Sequence, residues 1–112
     1  MKVLAGDIGG TKTTLAIFDV DGKQLEILAE QTYVSQQCDS LDKIVREFVA
    51  TQNQKCEWAS FGIAGPVKNG QAKTTNLPWL VDAKKLADEV GFRQVWLLND
   101  LQANAWGISV LD

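Results

Sequence analysis

Three short groups of residues carry the chemistry open to this chain. The first is Asp7-Ile8-Gly9-Gly10-Thr11-Lys12-Thr13, with a carboxylate, two glycines and two hydroxyls within seven positions. Paired glycines let backbone N–H groups approach an anion with no Cβ in the way. Thr11 and Thr13 add hydroxyl donors, and Asp7 at a strand end can hold Mg²⁺ directly or through water. The segment joins two strand-like runs. It therefore fits neither the dinucleotide fingerprint nor the Walker loop, both of which feed a helix N-terminus. On these residues alone two readings stay open: an anion cradle, or a tight hairpin turn whose Asp and Thr side chains bond the local backbone.

The second group is Asn99-Asp100, two polar residues directly after the apolar run Val95-Trp96-Leu97-Leu98. In α/β sheets, ligands bind outside the carboxyl ends of strands. A carboxylate there can accept a proton from a substrate hydroxyl, and the helix N-terminus expected after it favours the ionised form. Such a base is weak for an alcohol. Phosphoryl transfer tolerates this, because its transition state is loose and catalysis is mostly positioning and charge neutralisation. Asn99 can orient a hydroxyl as both donor and acceptor. The competing reading makes Asp100 a helix N-cap, and the two roles can coexist.

The third group is Gly62-Ile63-Ala64-Gly65-Pro66-Val67 together with Thr74-Thr75-Asn76-Leu77-Pro78-Trp79. Thr and Asn beside exposed backbone suit a neutral polyol. The alternative is a structural loop pinned by Pro66 and Pro78. Trp58, Trp79 and Trp96 are read as packing residues. Asp19-Val20-Asp21-Gly22 lacks the remaining ligand positions of a calcium loop and is read as a turn.

These groups need a sheet to hold them. Lys2–Ile8, Thr11–Val20 and Gln24–Val34 read as three strands, with Asp21-Gly22 as a hairpin signal between the last two. Asp39 and Ser40 start a helix whose Leu41, Ile44, Val45, Phe48 and Val49 recur at helical spacing as far as about Gln52. Trp58–Ala64 reads as a buried strand, and Gln71–Asn76 as a short strand after the Asn69-Gly70 turn. Asp82 caps a helix, Ala83–Val90, which Gly91 closes. Val95–Leu98 is another strand, and Asp100 opens a last helix. The predicted fold is α/β: a mixed sheet beginning with a three-stranded antiparallel meander, with helices packed on it.

Composition removes several classes of function. The chain has 112 residues, room for one domain. It carries 11 Lys and Arg against 14 Asp and Glu, a net charge of -3, which argues against a nucleic-acid footprint. No apolar run approaches the ~18 residues of a membrane span, and the start is too short for a signal peptide. Two cysteines and no histidine fit a cytoplasmic setting and exclude His-based chemistry from this segment.

The three motifs stand in one order: Asp7-Ile8-Gly9-Gly10-Thr11, then Gly62–Val67 with Thr75–Trp79, then Leu98-Asn99-Asp100-Leu101-Gln102-Ala103. In that order they resemble the N-terminal small lobe of the bacterial glucokinase family, within the actin-like ATPase (ribonuclease H-like) superfamily of sugar kinases. The resemblance covers the whole chain. Its first motif is shared with many sugar kinases, including the ROK family. The Asn-Asp element with its flanking Ala-Asn-Ala-Trp-Gly is more specific. The resemblance implies that Asp7, Gly9, Gly10, Thr11 and Thr13 contact the phosphates of ATP and that Asp7 also contacts Mg²⁺. It further implies that Asn99 binds glucose hydroxyls, that Asn76 lies near the sugar cleft, and that Asp100 is the catalytic base on the 6-hydroxyl.

Family members run to roughly two or three times this length, as two domains require. The resemblance therefore implies that residues 1–112 are a single small lobe. The second phosphate motif, the adenosine motif and the Glu and His residues completing the sugar site are expected beyond Asp112, on the absent C-terminal lobe. Two further expectations concern the chain by itself. It lacks phosphorylation activity alone, and it self-associates as a homodimer through the face meant for its missing cover. A ROK-type kinase of another hexose is the alternative within the same superfamily.

Overall fold

The computed structural model describes residues 1–63, 67–74, 77 and 79–99. Its main sheet has five strands: β1 (Lys2–Ile8), β2 (Lys12–Asp21), β3 (Gln24–Val34), β4 (Trp58–Ile63) and β8 (Gln94–Asn99), in the order β3-β2-β1-β4-β8. The first three form the expected antiparallel meander, while β4 and β8 run parallel to β1. A second small sheet joins β5 (Val67–Lys68), β6 (Gln71–Lys73) and β7 (Leu80–Asp82). The helices are α1 (Leu41–Gln52) and α2 (Ala83–Val90), and a 3₁₀ turn spans Ser35–Gln37.

Local chemistry accounts for the boundaries. Ser40 caps α1 by accepting from the Lys43 N–H at 3.2 Å, and Asn53 ends it in the left-handed region at φ 52°. Asp82 caps α2 by accepting from the Lys85 N–H at 3.1 Å, and Gly91 closes it at φ 98°. The β2–β3 hairpin differs by one position from the Asp21-Gly22 expectation. Asp21 pairs with Gln24, so the two loop residues are Gly22 and Lys23, with Gly22 at φ 61° as the first central residue of a II′ turn requires. Asn69 and Gly70, at φ 55° and 73°, make the I′ turn between β5 and β6.

A single core joins both sheets to both helices. Leu4, Ile8, Leu15, Ile17, Phe61 and Ile63 of the main sheet pack with Leu41, Ile44, Val45 and Phe48 of α1 and Leu86 of α2. Ala72, Leu77, Trp79 and Val81 bring the small sheet into the same cluster. The helices therefore cover one face of the main sheet. The opposite face leaves a hollow of about 700 Å³ lined by Met1, Val3, Trp58, Ser60, Gln94, Trp96 and Leu98.

The sequence expectations and the observed elements differ in places. Among the described residues of the predicted strand Gln71–Asn76, β6 covers Gln71–Lys73, and Thr75 and Asn76 lie outside the described residues. Strands β5 and β7 and the 3₁₀ turn carry no periodic signal, because two- and three-residue elements cannot show one. The last helix, opened by Asp100, lies outside the described residues.

Candidate active site

The carboxyl ends of the three parallel strands are in register. Ile8 of β1 pairs with Ile63 of β4, and Ile63 pairs with Asn99 of β8. The glycine turn leaves β1 at this level, and Asn99 ends β8 there. One strand lies between them, so at ~4.8 Å per strand the two strand ends stand about 10 Å apart. Asn76 and Asp100 lie outside the described residues.

Asp7 is exposed at the next-to-last position of β1. It pairs with Thr14 on one side and Gly62 on the other. A glycine in the neighbouring strand at that level adds no side chain beside the carboxylate. Gly6, one residue earlier, faces the core. A Cβ there would stand 2.5 Å from Phe61 Cδ1 and 3.0 Å from Leu15 Cδ2. Both phenylalanine and leucine belong to strands paired with Gly6, so the glycine is what lets those side chains meet beneath the site.

The turn itself is closed by its own backbone, the Gly9 N–H donating to the Lys12 carbonyl at 2.9 Å. A residue from elsewhere braces it. The Ser35 N–H donates to the Thr11 carbonyl at 2.9 Å, and Ser35 Oγ donates to the Gly9 carbonyl at 2.8 Å. Thr13 Oγ1 lies 2.8 Å from Ser35 Oγ. A serine hydroxyl has one proton. Because that proton goes to Gly9, Thr13 is the donor and Ser35 the acceptor in their contact. Thr13 and Ser35 are both 0% exposed.

The sequence expectation for Thr13 is therefore corrected. Its hydroxyl is buried and committed to Ser35, so it supports the turn from beneath instead of facing a ligand. Thr11, by contrast, is exposed, and Gly9 and Gly10 are half-buried. With the Gly9, Thr11 and Lys12 carbonyls and the Gly9 N–H engaged, the donors this turn can turn to an anion are its other amides and the Thr11 hydroxyl.

Ser35 carries no local signal in the sequence, since it lies 24 residues after Thr11. Hairpin counting comes close. Carried back from the Asp21–Gln24 pair, the register sets Val34 opposite Thr11. A β-bulge between Ile17 and Phe18 shifts it by one residue, so that Lys12 pairs with Val34 and Ser35 reaches Thr11.

The segment after Ser35 leads toward the third motif. The Cys38 N–H donates to the Ser35 carbonyl at 3.1 Å, and Trp79 Nε1 donates to the Cys38 carbonyl at 3.2 Å. Trp79 in turn accepts at its carbonyl from the Thr74 N–H at 3.2 Å and from Thr74 Oγ1 at 3.2 Å. A run of hydrogen bonds thus connects the glycine turn to the segment flanking Thr75 and Asn76.

The family model for glucokinase matches residues 4–112. The chain belongs to the glucokinase family. It is 40% identical over 111 residues to the glucokinase of Nostoc punctiforme, covering 97% of this chain and 33% of that protein. The crystal structure of a glucokinase from an Antarctic psychrotroph superposes with a TM-score of 0.87 at 31% identity, covering 99% of this chain and 36% of that one. A ROK family glucokinase from Streptomyces griseus, solved with glucose and AMPPNP, gives a TM-score of 0.71 at 26% identity, covering 99% and 37%. The chain spans about a third of the length of the curated relatives it matches. Its mixed sheet with an antiparallel meander is that of the ROK and actin-like sugar kinases.

Proposed function

We propose that residues 1–112 act as the small lobe of a two-lobe kinase that moves the γ-phosphoryl group of ATP to the 6-hydroxyl of glucose. The observation that carries this reading is the shared level of Ile8, Ile63 and Asn99 at the carboxyl ends of three parallel strands. It sets the glycine turn and the end of β8 at one end of the sheet, and Asp100 follows Asn99 directly in the sequence.

In this mechanism the amides of Gly10, Thr11 and Lys12 and the Thr11 hydroxyl hold phosphate oxygens, the Gly9 N–H being committed to the Lys12 carbonyl. Asn99 and Asn76 orient the sugar. Asp100 accepts the proton of the 6-hydroxyl as its oxygen bonds to the γ-phosphorus and the bond to the β-phosphate oxygen breaks. Asp7 fits a magnesium ion: it offers one exposed carboxylate beside the turn, and no cluster of three metal-ligating side chains exists among the described residues. Magnesium suits that economy, because it keeps several waters and takes its other ligands from substrate phosphates. When bound, it would neutralise charge on the phosphate oxygens.

The same reading includes a second lobe as partner, a cytoplasmic setting where ATP is available, and a homodimer in the absence of that lobe. No helix among the described residues is long and apolar enough to cross a membrane. The decisive experiment is Asp100→Ala in a full-length enzyme carrying this chain, assayed by glucose-dependent ADP release. Loss of more than about a hundredfold in kcat supports the base role. Activity within tenfold of the parent contradicts it. A panel of hexoses in the same assay separates glucose from another sugar.

A further inference from the structure

We propose that Ser35 is a positioning residue for the nucleotide turn, holding its carbonyls inward so that its donors face the phosphates. The proposal rests on the kinase reading above and adds to it a residue outside all three sequence motifs.

The geometry is that of a two-point clamp with a support behind it. One residue engages two carbonyls of the same turn, Gly9 through its hydroxyl and Thr11 through its backbone N–H. Thr13 fixes the Ser35 hydroxyl from the far side at 2.8 Å. All of this happens at two residues with no solvent exposure, where an unmade hydrogen bond is costly and water cannot replace the lost partner. Glycines at 9 and 10 give the turn access to an anion but also give it freedom. A peptide plane that rotates aims a carbonyl where an amide should be, and a carbonyl repels phosphate. The clamp removes that rotation. It also arrives from β3 and the 3₁₀ turn, not from the turn's own strands, so it acts as a preformed scaffold whose ordering cost is met on folding.

The test uses two variants of a full-length enzyme carrying this chain. Ser35→Ala removes the Gly9 bond and leaves Thr13 without its acceptor. Thr13→Val keeps the volume and the Ser35–Gly9 bond but removes the support. Amide exchange at Gly9 through Lys12 and titration with Mg·AMPPNP, both followed by NMR, give independent readouts.

In Ser35→Ala, the Gly9 N–H is expected to exchange faster while the amides of α1 and α2 keep their protection. Nucleotide affinity is expected to fall about tenfold, as loss of one such constraint implies. Thr13→Val should show a smaller effect of the same sign, and it supplies the readout if Ser35→Ala loses its dispersed spectrum. Unchanged exchange at Gly9 in both variants overturns the clamp. Faster exchange with unchanged nucleotide affinity overturns the positioning role. Failure of the full-length parent to bind Mg·AMPPNP counts against the kinase reading of the turn, and exchange alone then decides whether Ser35 holds it.

Discussion

Asp7 shows how much one side chain can be asked to do at the end of a strand. It is exposed, it precedes the glycine turn, and it faces Gly62 across the parallel pair. Asp7→Asn keeps the shape and removes the charge. Binding of Mg·AMPPNP should then weaken about tenfold, whereas binding of AMPPNP without the metal should not weaken, because the lost term is attraction to the cation. Equal weakening of both forms would mean that Asp7 shapes the turn and does not serve the metal. Asp7, Gly9, Gly10 and Thr11 fall within five positions of one strand-to-strand turn, and on those residues alone an anion cradle and a tight hairpin turn both stay open. Thr13 belongs to the same string and was misassigned. Alternation along β2 turns it to the core, and only the position of Ser35 explains why a buried hydroxyl is tolerated there.

At the level of elements, two contacts set measurable terms. Gly6 pairs with both Leu15 and Phe61, and a Cβ at that position would overlap Phe61 at 2.5 Å. Both neighbours are 0% exposed and have nowhere to move. Gly6→Ala should therefore cost about 1–3 kcal/mol by overpacking, read from urea midpoints. Gly22→Ala has open space around its Cβ but a φ of 61°, so its cost should be strain alone, about 1 kcal/mol. Between the helices, Asp42 of α1 is pushed up to about 6, first by partial burial and then by its hydrogen bond and repulsion with Glu89 of α2. Lys85 and Arg46 oppose the shift. The folded state thus binds a proton more tightly than the unfolded one, and stability should decline as pH rises from about 4 to 6. Asp42→Asn should flatten that slope in a plot of Tm against pH. Asp82 does not cover the same window. Its carboxyl is held below the usual range by Gln71 and the α2 amides, so its contribution is present above pH 3.8 and lost only on further acidification. The helices were legible because caps and 3.6-residue periodicity agree over eight to twelve residues. The small sheet was not, because its strands are too short for any period and are fixed by the I′ turn and the core instead.

At the scale of the whole fold, among the described residues the helices cover one side of the main sheet. On the other side Trp58 and Trp96 meet with ring centroids 5.8 Å apart, and Trp96 remains 41% exposed. The sequence suggested these tryptophans as packing residues, and for this pair the packing is with each other at the rim of an open hollow. An apolar face of that kind should make the chain self-associate, and Trp96→Glu should return it to a monomer in sedimentation velocity. A monomer for the parent chain at high concentration would contradict this. On the covered side, Trp79 has a different task. It is buried in the shared core, donates to the Cys38 carbonyl, and receives the Thr74 N–H at its own carbonyl. It therefore ties the small sheet to the segment that begins with Ser35. Trp79→Phe keeps an aromatic ring but removes the indole N–H and leaves a small void, for a loss of about 1–3 kcal/mol. The cost in stability alone does not distinguish a tie from ordinary packing. Amide exchange does: if Trp79 links the two regions, the Cys38 and Thr74 amides should both lose protection in the variant. Faster exchange at Thr74 with Cys38 unchanged would confine the effect to the small sheet, and the glycine turn and the small sheet would then be held independently.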